Sequence, residues 1–230
     1  MMLAQVIIHH RTATCESRNG FCPDWIAKHI GDYVDPLVRH IELVVVSVTI
    51  GFVLAFGLGL LAHRRRWLVT PILSITGILF TIPSLVLFTV LATSPLGFGF
   101  VSGVIPLALY TLQIIFRNVV TGLAAVPEEA RDAARGMGMS EQQLLWRVEV
   151  PLALPEIIAG LRIATVTTVA LATLAFFAGA GGLGDKINTD IAFKSNIVVG
   201  GGLAILLALT LDLMLLGVQR VLSPWRRATA

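Results

Sequence analysis

"WLVTPILSITGILFTIPSLVLFTVLATSPLGFGFVSGVIPLALYTLQIIF", residues 67–116, carries no Asp, Glu, Lys or Arg. As one helix it would extend about 75 Å at ~1.5 Å per residue. A hydrocarbon core is about 30 Å thick and takes roughly 20 apolar residues to cross. The run must therefore fold back on itself. Pro95, Gly97 and Gly99 in "TSPLGFG" (93–99) supply the turn.

The same absence of charge recurs at 43–62, 163–184 and 195–211. In the whole chain of 230 residues, 56% are hydrophobic and 13% charged, the latter about half of the roughly 25% usual in soluble domains. Five spans are predicted, at about 41–62, 68–92, 101–120, 157–180 and 197–219, forming an all-α polytopic transmembrane bundle. Arginine distribution sets the orientation. Arg64, Arg65 and Arg66 separate the first two spans. Arg117, Arg131, Arg135, Arg147 and Arg162 lie in or beside the loop after the third, and Arg220, Arg226 and Arg227 end the chain. With five spans these sites share one side, expected to be the cytoplasm. Lys186 and Lys194 fall on the other, with an N-terminal segment whose basic and acidic residues balance. The N-terminus is thus expected outside and the C-terminus inside, in a multi-pass inner-membrane protein. The formal charge of +3 belongs to this bias, and arginines set beside spans are poorly explained by nucleic-acid binding.

Three regions follow: an extracytoplasmic segment (1–40), a transmembrane domain (41–222) and a cytoplasmic tail (223–230). From Trp25, the positions Ile26, Ile30, Tyr33, Val34 and Leu37 keep helical spacing. They form an amphipathic helix that lies on the outer surface or docks a partner. Pro36 would kink it or start a new one. Cys15 and Cys22 are the only cysteines; free thiols and a disulfide are both open in an oxidising compartment.

Polar structure is predicted between the third and fourth spans (about 121–156). Pro127, Glu128 and Glu129 open a helix, and Val126, Ala130, Ala133, Ala134 and Met137 give it a small apolar face. Gly138 is placed to end it in a left-handed conformation. Ser140 and Gln143 form a capping box for a second helix, with Leu144, Leu145 and Val148 as its apolar contacts. Pro151 is expected to stop that helix, and Pro155 with Glu156 to open the next span. An Ala- and Gly-rich face is poorly built for lipid and suits close docking into another protein.

The stretch "DAARGMGMSEQQLLWRVEVP" (132–151) resembles the coupling loop of the permease subunits of ABC importers. In that motif Asp132, Ala133 and Ala134 occupy the Glu-Ala-Ala positions and Gly138 the glycine. Val148, Val150 and Pro151 fall at Ile, Leu and Pro. The Asp keeps the charge with a shorter reach. "RNVVTGL" (117–123), "TIPSLVLF" (81–88) and "TLAFFAGAGGLGDKI" (173–187) resemble permeases of the osmoprotectant branch, which import glycine betaine, carnitine or choline. The resemblance covers about residues 35–222 and implies a type I ABC importer permease fold. It also implies two ATPase subunits that bind ATP, a second permease subunit (identical or paralogous) and an extracytoplasmic substrate-binding protein. It assigns ATPase coupling to Asp132, Ala133, Ala134, Arg135, Gly136, Met137, Gly138, Met139, Val148 and Pro151. Methionine and taurine permeases share the general motif and are the alternative cargo class.

Other signals point away from catalysis. Gly179, Gly181 and Gly184 spell GxGxxG, but they follow an apolar span instead of opening a βαβ unit. No phosphate-binding G-x-x-x-x-G-K-[ST] occurs, so no ATPase, enzyme or resident cofactor is expected on this chain. His9 and His10 are adjacent, a poor metal spacing, and no metal is expected. Asp212 lies inside the last span, where an unpaired carboxylate costs roughly 2.5–3.5 kcal/mol; Arg162 is at similar depth and is its candidate partner. Tyr110 and Phe116 are aromatic candidates for the pathway. An ion-coupled carrier acting alone would need intramembrane ionisable residues and internal repeats. Asp212 is its single candidate and no repeat is visible; a non-transporting scaffold subunit is the remaining alternative.

Overall fold

The computed structural model describes Cys15 and residues 20–223. His9, His10 and most of the predicted tail, with Trp225, Arg226 and Arg227, lie outside the described residues. A short helix α1 (Pro23–His29) and a 3-10 turn (Ile30–Tyr33) lead into α2 (Val34–Arg64). Pro36 sits in the first turn of α2, so it starts this helix without kinking it, and the first span begins earlier than residue 41. Cys15 and Cys22 form a disulfide with Cα atoms 5.8 Å apart.

The predicted second span, 68–92, is broken. Helices α3 (Val69–Thr81) and α4 (Ser84–Ala92) meet at 84°. The cause is Pro83, whose ring forces the preceding residue out of the helical region. Ile82 is extended (φ −65°, ψ 127°), and its N–H donates to the Leu79 carbonyl at 3.3 Å. The carbonyl of Ile82 accepts from the Tyr110 hydroxyl on α5 (Phe100–Ala124). Phe80 packs edge-on against the same ring, 5.4 Å away.

Helix α5 is the centre of the bundle, with Ile115, Phe116 and Val119 fully buried. Apolar helices gain little in lipid from hydrophobic burial, so close packing has to hold them. Gly51 and Gly59 of α2 meet the side chains of Thr111 and Val119; a Cβ at either glycine would overlap them. Ser47 Oγ also donates across this contact to the Val104 carbonyl at 3.4 Å.

After α5 come α6 (Glu128–Gly136) and α7 (Glu141–Leu144), a π turn (Leu145–Glu149) and α8 (Val150–Ala172). Pro151 does not stop the second loop helix, and Pro155 lies inside α8 instead of opening a span. Residues Glu141–Ala172 run on as one stretch apolar enough to cross a membrane. The π turn allows this. Val150 N–H reaches back five residues to the Leu145 carbonyl, so the register shifts just where a proline N–H is missing. The fourth span consequently starts and ends earlier than 157–180. A 3-10 turn (Ala175–Ala178) and α9 (Leu183–Thr189) connect it to α10 (Lys194–Leu222). Among the described residues, four helices are long and apolar enough to span, or five elements counting α3–α4 as one broken span. No strand occurs among the described residues.

The Gly99 N–H donates to the Ala178 carbonyl at 2.7 Å, which places the 93–99 turn beside 175–178. The segment around α1, α9 and Lys194 shares that end of the bundle. Arg64–Arg66 and the α6–α7 hairpin occupy the other. In the GxGxxG stretch, Gly179 and Gly181 have positive φ (67° and 78°), and a Cβ at Gly184 would overlap the Thr173 carbonyl. The stretch is a tight turn packed on α8.

Candidate functional site: the hairpin after the third span

Local chemistry builds the hairpin. Gly138 has φ +77°. Met139 N–H bonds to the Ala134 carbonyl (3.2 Å) and Gly138 N–H to the Arg135 carbonyl (2.9 Å), the paired closure of a Schellman motif. Ser140 then caps α7: its hydroxyl accepts from Gln143 N–H (3.3 Å), while the Gln143 side chain accepts from Ser140 N–H (2.9 Å). Both features follow the sequence reading.

The residues assigned to coupling divide into two groups. Asp132, Ala133, Arg135, Gly136, Met137 and Gly138 are exposed at the corner, with Met137 70% exposed. Nothing in the chain lies near a Cβ at Gly136 or Gly138, so the fold itself does not need these glycines for clearance. Ala134 is buried, and Met139, Val148 and Pro151 are half-buried. These four hold the corner from behind.

Three residues without an assigned role fasten the hairpin to the bundle. Glu149, 5% exposed, accepts from Arg131 Nε at 2.7 Å and pairs with His63 Nε2 at 2.9 Å. Arg131 also donates to Glu128 (2.9 Å) and to the Leu123 carbonyl at the end of α5 (2.8 Å). One buried network thus ties α6 and the π turn to the ends of α2 and α5. Burial acts to lower the Arg131 pKa, but its bonds to Glu128 and Glu149 outweigh this and hold it above its usual value. The hydrogen bond from Arg131, followed by that from Arg135, keeps the exposed Glu128 carboxyl below its usual range. Arg135 is held up by Glu141, then by Glu128. A signal was available: Glu149 stands four residues after Leu145, on the helix's apolar face, where a carboxylate needs a partner.

Arg162 and Asp212 do meet. Nε and Nη2 of Arg162 donate to the two carboxylate oxygens at 2.8 and 2.7 Å, a bidentate bridge between α8 and α10. Gln219 adds a bond to the Pro155 carbonyl at 2.9 Å. Asp212 is held in an ion pair between two spans, each partner about a quarter exposed. Phe116 is core, fully buried. Tyr110 is 5% exposed and closes the broken second span. No cluster of metal-ligating side chains occurs among the described residues.

Long apolar helices, one of them broken, together with a polar hairpin tied down at its base and exposed at its corner mark an integral-membrane subunit. The chain belongs to the family of binding-protein-dependent transport system inner membrane components, whose model matches residues 47–228. It is 38% identical to the osmoprotectant import permease protein OsmW of Salmonella typhimurium, covering 81% of this chain and 89% of that one. It is 34% identical to the glycine betaine/carnitine/choline transport system permease protein OpuCD of Bacillus subtilis, covering 86% and 87%. With the choline transport system permease protein OpuBB of the same organism it shares 32% identity, covering 84% and 90%. The fold matches a chain of the inward-facing MetNI methionine ABC transporter (TM-score 0.69, 23% identity, 86% and 96% covered). It also matches an amino acid ABC transporter solved with histidines (TM-score 0.72, 17% identity, 85% and 96% covered).

Proposed function

We propose that this chain, with a second permease subunit, forms the membrane passage of an ATP-driven importer of small osmoprotectants such as glycine betaine, choline and carnitine. The observation that carries the reading is the likeness to osmoprotectant permeases over most of both chains. The methionine system shares the fold at lower identity. ATP is bound by two partner ATPase subunits, and an extracytoplasmic binding protein delivers the solute. The exposed corner Asp132–Met139 meets the ATPases. Their closure displaces it, and the Arg131–Glu149–His63 network passes that displacement to α2, α5 and α8. Such switching requires an element with two arrangements biased by a ligand; the five spans are that element. The hairpin faces the cytoplasm, and α1 with α9 faces outward.

Reconstitution with the ATPase subunits and binding protein, followed by uptake of radiolabelled betaine, choline, carnitine, methionine and taurine, tests this. ATP-dependent uptake of the ammonium solutes is expected. Uptake of methionine or taurine alone overturns the cargo. Uptake without the ATPases overturns the importer.

A further inference from the structure

Helices α1, α9 and the start of α10 border a partly open pocket of about 210 Å³ at the end of the bundle opposite the hairpin. Trp25, Lys186, Thr189, Asp190, Phe193 and Asn196 line it. Its walls are fixed by bonds between distant parts of the chain. Cys22 N–H donates to Ser195 Oγ at 2.7 Å, and Ser195 Oγ donates to the Gly20 carbonyl at 3.2 Å. The Tyr33 hydroxyl donates to Asn196 Oδ1. Asn196 Nδ2 is shared among the carbonyls of Lys186, Ile187 and Asp190 at 2.9, 3.1 and 3.2 Å. Cys22 is also disulfide-bonded to Cys15.

Two opposite charges line this space, Lys186 on α9 and Asp190 just past its end. They do not pair with each other. Lys186 Nζ lies 4.0 Å from Asp32 and 5.4 Å from the centre of the Tyr33 ring. Asp190 accepts the Phe193 N–H at 3.2 Å. Trp25, half-buried, is held between His29 (stacked, 4.5 Å) and Phe193 (edge-on, 4.8 Å). An ammonium, a carboxylate and a partly open indole therefore share one small cavity. An indole with a carboxylate holds a methylated ammonium, and a lysine holds a carboxylate. The volume lies below the roughly 300–1,000 Å³ of drug-sized sites, which suits a small solute.

We propose that this pocket is a reception site for a zwitterionic ammonium solute of the glycine betaine kind, with its carboxylate toward Lys186 and its methylated nitrogen against Trp25 and Asp190. This rests on the osmoprotectant reading and deepens it: betaine-like zwitterions are taken in preference to choline, which has no carboxylate to compete with Asp32 for Lys186. In the assembled permease–ATPase complex without binding protein, Trp67, Trp146 and Trp225 are replaced by Phe, and Trp25 fluorescence is followed during titration with glycine betaine, choline and sucrose. Saturable quenching by betaine, weaker quenching by choline and none by sucrose are expected. Asp190→Asn keeps the acceptor for Phe193 N–H and removes the charge; it should weaken betaine by up to about fivefold, the span of one solvent-accessible charge contact. Lys186→Gln should erase the preference for betaine over choline. Absence of a saturable response, or a preference untouched by Lys186→Gln, overturns the site. Uptake of betaine by the same preparation once binding protein is added separates the two ideas. Uptake without a Trp25 response discards the pocket alone, and absence of uptake discards the cargo reading.

Discussion

At the scale of single residues, Gly138 stands at the corner proposed to meet the ATPases. Its φ of +77° costs an L-residue roughly 1–2 kcal/mol, and a β-branched side chain fits there worst. Open space surrounds it, so the strain comes from the backbone alone. Gly138→Val is expected to leave membrane insertion intact while stimulated ATPase activity and co-purification of the ATPase subunits both fall. Wild-type transport in this variant would show that the corner is not the contact. Arg162 and Asp212 offer a second test. Each alone is a costly charge at membrane depth, and together they make a bidentate bridge. Arg162→Gln and Asp212→Asn should each lower the Tm of the purified protein, and the double variant should recover part of the loss. Strict additivity would mean that the bridge does not contribute.

At the scale of elements, the proposed coupling requires the hairpin to move with the spans. The buried Arg131–Glu149 pair, with His63 on α2, ties it to them. Removing one member of a buried pair costs roughly 3–5 kcal/mol, because the other is left uncompensated. Glu149→Gln is therefore expected to raise amide hydrogen exchange across 126–149 and to lower transport, with the distant 20–33 segment unchanged. Exchange rates equal to wild type in the hairpin would remove the network from the coupling route. The broken second span has the same logic in reverse: Pro83 frees a carbonyl within the membrane, and Tyr110 satisfies it. A backbone group left unpaired there would cost several kcal/mol.

At the scale of the whole molecule, the arginine-bearing segments and the lysine-bearing loop stand at opposite ends of the bundle, which is what an odd number of crossings requires. In a background lacking Cys15 and Cys22, Arg65→Cys and Gln142→Cys should react with a membrane-impermeant thiol reagent only from the cytoplasmic side. Leu96→Cys and Ile191→Cys should react only from outside. Labelling of position 142 from outside would place the hairpin away from any ATPase and end the coupling argument.

The sequence by itself determined the all-helical membrane class, the Schellman corner at Gly138 and the capping box at Ser140. Each depends on residues no more than one span apart, through bilayer thickness, backbone conformation and local hydrogen bonds. The break at Pro83 is local too, yet a hydropathy reading of 68–92 passes over it, since a proline in an apolar run changes the backbone and not the polarity. Pro151 misled in the opposite direction, because a five-residue hydrogen bond at the π turn absorbed it. Only the tertiary structure decided that Arg131 and His63 share Glu149, that Tyr110 closes the broken span and that Cys22 is bonded to Ser195 on the last helix. Those partners are separated by many residues in the chain, and which of them meet depends on how the spans lie side by side, a matter of shape and close packing that no short window of sequence contains.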